Sequence, residues 1–187
     1  EDHPTNPVDF NGVDKLAAEK YYFLYQQLYG IPAVSLRINN TFGPRCQMRN
    51  SDYGIVNWFV RLAMENRPIS LYGGGSQTRD YNYVEDVADA FVLAIEKKEA
   101  DGNMYLLGSG VETPLLSMTK KIVALAQSKS PINLVDWSEE RKRIEIGNFC
   151  VSIEKIRREL GWNPSTSLDD GLKKTIEFYR RRKNEYF

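Results

Sequence analysis

The chain has 187 residues, 42% of them hydrophobic, which is enough for a folded core in one domain or two small ones. Its 25 basic and 25 acidic residues cancel, so no overall field attracts nucleic acid or an anionic membrane. One histidine and two cysteines, Cys46 and Cys150, lack the ligand clustering of a metal site. Neither a run of about 20 apolar residues nor a signal peptide is visible, so we expect a cytoplasmic protein without a membrane partner.

Predicted helices and strands alternate along the chain. Ala17, Tyr21, Leu24 and Leu28 follow helical spacing and predict a helix over residues 15–29. The strands are predicted in "PAVSLRINN", "ISLYG", "YNYV", "NMYLLG" and "INLVDW", and further helices over residues 53–66, 85–98, 116–127, 153–160 and 168–181. The alternation predicts an α/β fold with some parallel strand pairing.

Two glycine-rich stretches resemble phosphate-binding loops only in part. "GSGVET", from Gly108, follows a strand and precedes a helix, but its last residue is Thr113 instead of a glycine, Pro114 comes next, and residues 127–130 hold no acid for a ribose. "GGGSQT", from Gly73, leads into a strand and therefore lacks the helix N-terminus that holds a phosphate. We interpret the second stretch as a turn.

Arg79 follows that turn and is the first candidate site residue. Its guanidinium is a planar, permanently charged fork of donors that suits a diphosphate. An ion pair with Asp80, Glu85 or Asp86 would explain the same arginine without any ligand. The residues alone leave both interpretations open.

Several stretches occur in an order that one family shares. "LYGGGSQTRDYNYVEDVADAF" fits the pattern L-Y-G-x-G-x-x-x-R-D-aromatic-x-aromatic-V-x-D, and it is accompanied by "DKLAAEKYYFLYQQLYGI", "SLRINNTFGPR", "MYLLGSG" and "LGWNPSTSLDDGLKKTIEFY". Together they resemble the extended short-chain dehydrogenase/reductases, the NAD-dependent epimerases and dehydratases of nucleotide-sugars. The resemblance covers nearly the whole chain.

The resemblance implies a division of the fold. Residues 1–45 would be the last portion of a Rossmann-type parallel sheet that binds NAD, and residues 46–187 mainly a smaller mixed α/β domain for the nucleotide-sugar. A segment around residues 80–108 would return to the Rossmann side. The family's G-x-G-x-x-G strand and catalytic serine or threonine have no counterpart in this chain, so we expect it to be the C-terminal half of a longer protein that binds NAD or NADP mainly through the other half.

The resemblance also implies substrate-binding residues. Arg79 would hold the diphosphate and Asn40 would donate to it, while the base and its ribose would be surrounded by Ile55, Asn57, Leu71 and Tyr72. For Ile55 and Leu71 a place in the core is the stronger alternative. The basic cluster of Arg141, Lys142 and Arg143 lies near the family's second phosphate-binding arginine, with a solvated face as the alternative.

The catalytic motif departs from the family. Lys15 would be the lysine of Tyr-x-x-x-Lys, which binds the nicotinamide ribose and lowers the pKa of the tyrosine. Asn11 stands at the tyrosine position and cannot act as a proton-transfer base. Ile38 is a second residue expected beside the cofactor.

Two functions follow from the resemblance. One is an NAD(P)-dependent epimerase or dehydratase of a nucleoside-diphosphate sugar, similar to UDP-glucose 4-epimerase, whose C-terminal half would be inactive alone. The other is a non-catalytic relative that binds a nucleotide-sugar or a dinucleotide. A purely structural α/β domain is a weaker third option. The aromatic helix over residues 15–29 would suit a homodimer interface, although a monomer that buries the same residues would look alike in sequence.

Overall fold

The computed structural model describes residues 1–51, 54–143 and 145–187. Its helices are α1 (Phe10–Tyr29), α2 (Ile55–Met64), α3 (Val84–Glu96), α4 (Leu115–Leu125), α5 (Glu139–Arg143), α6 (Glu154–Leu160), α7 (Leu168–Arg181) and α8 (Lys183–Tyr186). Its strands are β1 (Ser35–Ile38), β2 (Asn40–Phe42), β3 (Ile69–Tyr72), β4 (Thr78–Tyr83), β5 (Met104–Leu107), β6 (Glu112–Pro114) and β7 (Ile132–Val135). Tyr53, where we predicted that a helix begins, lies outside the described residues.

Strand pairing is mainly parallel, which confirms the predicted α/β class. β1 pairs with β5, β2 with β4 and β3 with β7, each in parallel, and β6 lies antiparallel to β4. These pairs form three small sheets. The sequence did not predict β2 and β6, because strands of three residues are too short to show an alternating pattern.

Helix α1 begins before its predicted start. Asp9 caps it by accepting a hydrogen bond from the backbone N–H of Gly12 at 2.7 Å, so the helix starts at Phe10 and not at Lys15. Gly30 ends the helix in the left-handed conformation, as the glycine in the sequence suggested.

The described part of the chain has two hydrophobic cores, which share the β4–α3 segment. Tyr81 and Tyr83 of β4 belong to the larger core, which also holds Leu172 and Ile176 of α7. The smaller core is built from α3, β5 and α6 and the residues around them: Val87, Ala90, Ala94, Ala100, Tyr105, Leu107, Val151, Ile153, Ile156, Leu160 and Trp162. Strand β4 runs directly into α3, whose N-cap is Tyr83, so one continuous segment joins the two cores. The predicted boundary near residue 45 stays a prediction.

Helix α1 is poorly covered. Among its residues, all of which are described, Glu19 is the one that is buried. Its exposed large side chains include Phe10, Tyr21, Tyr22, Leu24, Tyr25, Leu28 and Tyr29. No helix in the described part of the chain is both long and apolar enough to cross a membrane.

Candidate functional site

The site begins at two neighbouring parallel strands. Asn40 of β2 lies opposite Tyr81 of β4 in the strand register. Residues opposite each other share a face of the sheet, and so do residues two apart along one strand. Asn40, Tyr81 and Arg79 therefore lie on one face, and the structure brings together the two residues that we predicted to bind a diphosphate.

Arg79 is held in an ion pair. Its Nη2 donates to Glu145 Oε1 at 2.6 Å, and its Nη1 donates to the carbonyl oxygens of Thr78 at 2.8 Å and Gly147 at 2.5 Å. The Arg79 side chain is 16% exposed and that of Glu145 21%. Arg79 therefore has an ion-pair partner, as the alternative interpretation of the sequence expected, but that partner is Glu145 and none of the three acids suggested, Asp80, Glu85 and Asp86.

Asp80 points to the opposite face of β4 and organises a loop. It is fully buried and accepts hydrogen bonds from the backbone N–H of Ser109 at 2.6 Å, of Gly110 at 3.1 Å and of Val151 at 3.4 Å. A side chain at Gly108 would collide with the same carboxylate, so glycine is needed there. The amides of the "GSGVET" loop thus bind Asp80 and not a phosphate.

Asp86, the third acid beside Arg79 in the sequence, also has a structural contact. Its carboxylate accepts hydrogen bonds from the backbone N–H groups of Ser165 and Thr166, both at 3.1 Å, and its carbonyl accepts one from the Trp162 indole at 2.8 Å. Asp86 therefore ties the start of α3 to the loop that leads into α7. Glu85, the remaining alternative, lies 3.7 Å from Lys174.

Tyr81 is a polar group that the sequence analysis did not single out. It is 3% exposed, and its hydroxyl has no hydrogen-bond partner in the described part of the chain. Burial raises the pKa of Tyr81 to about 12, and the charge of Arg79 opposes that rise. The phenol is therefore a neutral donor on the same face as Asn40. The alternation of side chains along β4, which places Tyr81 on the face of Arg79, was the sequence signal that could have identified this tyrosine.

Two of the residues predicted around the base are buried. Asn57 has no exposed surface; its Oδ1 accepts from the N–H of Gly43 at 3.2 Å, and its Nδ2 donates to the Gly43 carbonyl at 2.6 Å and to the Tyr179 hydroxyl at 3.1 Å. Leu71 is also fully buried in the larger core, as the alternative interpretation expected. Ile55 is partly exposed and packs against the same core. Contact of these three with a nucleotide stays a prediction.

Tyr72 lies in a small aromatic pair at the glycine turn. Its ring stacks on Trp137, with centroids 6.0 Å apart and planes inclined by 24°. Any side chain at Gly73 would collide with the Trp137 indole, and Gly73 also has a positive φ of 63°. The amide of Gln77 donates to the Tyr72 carbonyl at 3.0 Å and holds the turn. Trp137 was not predicted, because nothing near it in the sequence indicates the contact.

The remaining predicted residues lie on α1, at the end of β1 and on α5. Asn11 and Lys15 are exposed, four residues apart in the first part of α1, and Ile38 is 44% exposed at the end of β1. Arg143 is exposed at the end of the short helix α5, and the side chain of Arg141 lies outside the described part of the structure.

The fold is mixed α/β with mainly parallel strand pairing, and it matches the Rossmann-like fold of the NAD-dependent epimerases and dehydratases. A family model described as GDP-mannose 4,6 dehydratase matches residues 1–175, and the chain belongs to that family. The resemblance that we inferred from the sequence motifs is thereby confirmed.

Three known proteins illustrate the relationship. A dTDP-D-glucose 4,6-dehydratase of Bos taurus is 34% identical over 181 residues, covering 95% of this chain and 48% of the relative. The crystal structure of Thermotoga maritima UDP-glucose 4-epimerase with UDP-glucose is similar with a TM-score of 0.84 and 27% identity, covering 92% of this chain and 53% of the other. That of Thermus thermophilus UDP-glucose 4-epimerase complexed with NAD has a TM-score of 0.83 and 26% identity, covering 95% and 56%. The chain spans about half the length of each.

Proposed function

We propose that the protein is an NAD(P)-dependent epimerase or dehydratase that acts on a nucleoside-diphosphate sugar, with a reaction similar to that of UDP-glucose 4-epimerase. The observation that carries the proposal is the common face of Arg79 and Asn40 on β4 and β2. A guanidinium fork and a carboxamide donor on one face suit the two phosphates of such a substrate. The kinship with epimerases and dehydratases supports the same reaction class.

Each residue has a role in the proposal. Arg79 and Asn40 bind the diphosphate, and Tyr81 adds a neutral hydroxyl donor on their face. Tyr72, in its stacked pair with Trp137, lies beside the base. The predicted assignments of Ile55, Asn57 and Leu71 to the base and ribose, and of Arg141 and Arg143 to a second phosphate contact, belong to the same proposal.

The residues of this chain suit the nicotinamide end of the cofactor and not its diphosphate. Lys15 and Ile38 are both accessible, whereas the Gly108 loop cannot hold a dinucleotide diphosphate because its amides bind Asp80. NAD or NADP, when bound, supplies the hydride acceptor. Lys15 would bind the ribose of the nicotinamide and favour a nearby ionised proton acceptor by its charge. The rest of the cofactor would be held by a part of the protein outside this chain.

A second candidate, a non-catalytic relative that binds a nucleotide-sugar or dinucleotide, is favoured by Asn11. A carboxamide has no basic site with which to take a proton from a sugar hydroxyl. Asn11 lies one helical turn before Lys15 and is exposed, so a tyrosine would fit there without repacking. We also propose that the protein forms a homodimer through α1 and that it is located in the cytoplasm.

The test is nucleotide binding by the full-length protein. We expect UDP, dTDP, GDP or CDP to bind in calorimetric titrations, and Arg79→Ala to weaken the tightest of them by about 10- to 100-fold, because a charge-assisted contact is lost. Arg158→Ala is the matched control, since Arg158 is an exposed arginine on α6. Equal affinities for the two variants would contradict the proposal.

Turnover separates the two candidates. Sugars linked to the nucleoside diphosphate that binds most tightly are incubated with NAD and the wild-type protein. The products are analysed by chromatography. Conversion supports the enzyme, and Arg79-dependent binding without conversion supports the non-catalytic relative. In that second case Asn11→Tyr should restore measurable turnover if the site is a degraded form of the usual one, and unchanged inactivity would contradict that explanation.

A further inference from the structure

A short segment lies across the beginning of β4. Residues 145–149, which we call the strap, run beside Thr78 and Arg79. Asn148 Oδ1 accepts a hydrogen bond from the Thr78 N–H at 3.0 Å, and the N–H of Phe149 donates to the Thr78 carbonyl at 3.2 Å. These two bonds fix the strap at the end of β4 where Arg79 lies.

One carboxylate oxygen of the strap is bound by two donors. Glu145 Oε1 accepts from Arg79 Nη2 at 2.6 Å and from the backbone N–H of Gly147 at 3.1 Å. A guanidinium together with a backbone amide is a typical pair of donors for an oxyanion. The two groups therefore form an anion site that a carboxylate of the same chain fills.

We propose that Glu145 is an internal competitor, whose carboxylate takes the place of a phosphate oxygen and leaves when the nucleoside diphosphate binds. Arg79 Nη2 and the Gly147 N–H are then the two donors to that phosphate. The inference rests on the proposed function, because it assigns the diphosphate to Arg79. A diphosphate carries more negative charge than one carboxylate, so it can displace Glu145.

The surroundings allow this exchange. Arg79 Nη1 is bound to the carbonyls of Thr78 and Gly147, so the guanidinium stays oriented after Glu145 has left. Gly147 is exposed, and a side chain built on it would have no neighbour within 4 Å, so the strap borders open space into which Glu145 can turn. The exchange breaks the ion pair between Arg79 and Glu145, which is partly shielded from solvent. The free energy of that pair is lost when the ligand binds, so the affinity of the wild-type protein is lowered.

The test compares the binding of inorganic pyrophosphate and of UDP to the full-length protein and its variants. Glu145→Gln removes the competing charge, and we expect it to lower the Kd of both ligands by about fivefold. Glu140→Gln makes the same charge change on exposed α5 and should leave both values unchanged. Uridine, which has no phosphate, should bind all three proteins equally. Circular dichroism checks that each variant is folded.

The outcomes separate this inference from the proposed function. Tighter binding in Glu145→Gln that disappears in the double variant with Arg79→Ala supports the internal competitor, even where the wild type binds too weakly to measure. Arg79-dependent binding that Glu145→Gln does not strengthen overturns the competitor and leaves the proposed function intact. Absence of binding to wild type and Glu145→Gln alike overturns both.

Discussion

Neighbouring residues of β4 have opposite roles because their side chains alternate between the faces of the strand. Arg79 lies on the face of the proposed ligand, and Asp80 is buried on the other face, where it accepts several backbone hydrogen bonds. The loop after β5 and the segment before α6 both depend on that carboxylate. Asp80 thus fixes the strand on which Arg79 is carried.

Asp80→Ala should therefore destabilise the whole protein. It leaves the buried N–H of Val151 and the partly buried N–H of Ser109 without their acceptor, and we expect a loss of about 2–3 kcal/mol in the free energy of unfolding. Urea denaturation followed by circular dichroism measures it, with Asp101→Ala at an exposed position as the control. A loss below about 1 kcal/mol would show that the loop does not need this acid.

At the scale of elements, α1 is attached to β1 by a polar contact. Glu19 is buried and accepts hydrogen bonds from Ser35 Oγ at 2.6 Å and from Arg37 Nε and Nη2 at 2.9 and 2.7 Å. The hydrogen bond from Arg37 lowers the pKa of the Glu19 carboxyl, and burial partly opposes this. The charged form of Glu19 is therefore favoured in the folded state.

This contact should make stability depend on pH. A carboxyl whose pKa is lowered by folding contributes stability above its unfolded pKa and loses it as the pH falls through the folded value. Glu19→Gln should cost about 2 kcal/mol near pH 7 and less near pH 3, because below the unfolded pKa of Glu19 the stabilisation from its charged form is progressively lost. Thermal unfolding at both pH values tests this, and Glu96→Gln on the exposed end of α3 is the control. An equal cost at both pH values would contradict the ionic contribution.

The sequence predicted long elements well and distant contacts poorly. The predicted bounds of α7 agree with the structure, because its apolar spacing and the Ser167 cap are both local signals. Arg79 could be recognised as a candidate from its motif. Its partner Glu145 could not, because the two lie 66 residues apart and only the folded chain brings them together. The same holds for Trp137 beside Tyr72.

At the scale of the whole molecule, the exposed apolar and aromatic side chains of α1 form the face that we proposed as a homodimer interface. Leu24 and Leu28, four residues apart, are 47% and 63% exposed beside several tyrosines. We expect the full-length protein to be a dimer and Leu28→Glu to make it a monomer, because a charge would be buried in an apolar contact. Light scattering after gel filtration measures the mass, with exposed Gln27→Glu as the control. A Leu28→Glu protein that keeps the dimer mass, or that unfolds, would contradict this interface.

The direct passage from β4 into α3 has a consequence for how the chain tolerates changes in length. Thr78–Tyr83 and Val84–Glu96 follow each other without a loop. A residue inserted within β4 would turn the preceding side chains to the other face of the strand, so that Arg79 and Asp80 exchange sides. One inserted in α3 would rotate the rest of the helix by about 100°. Insertions in this region are therefore expected to be tolerated in the glycine turn before Thr78, where an added residue leaves Arg79 and Asp80 on their present faces of β4.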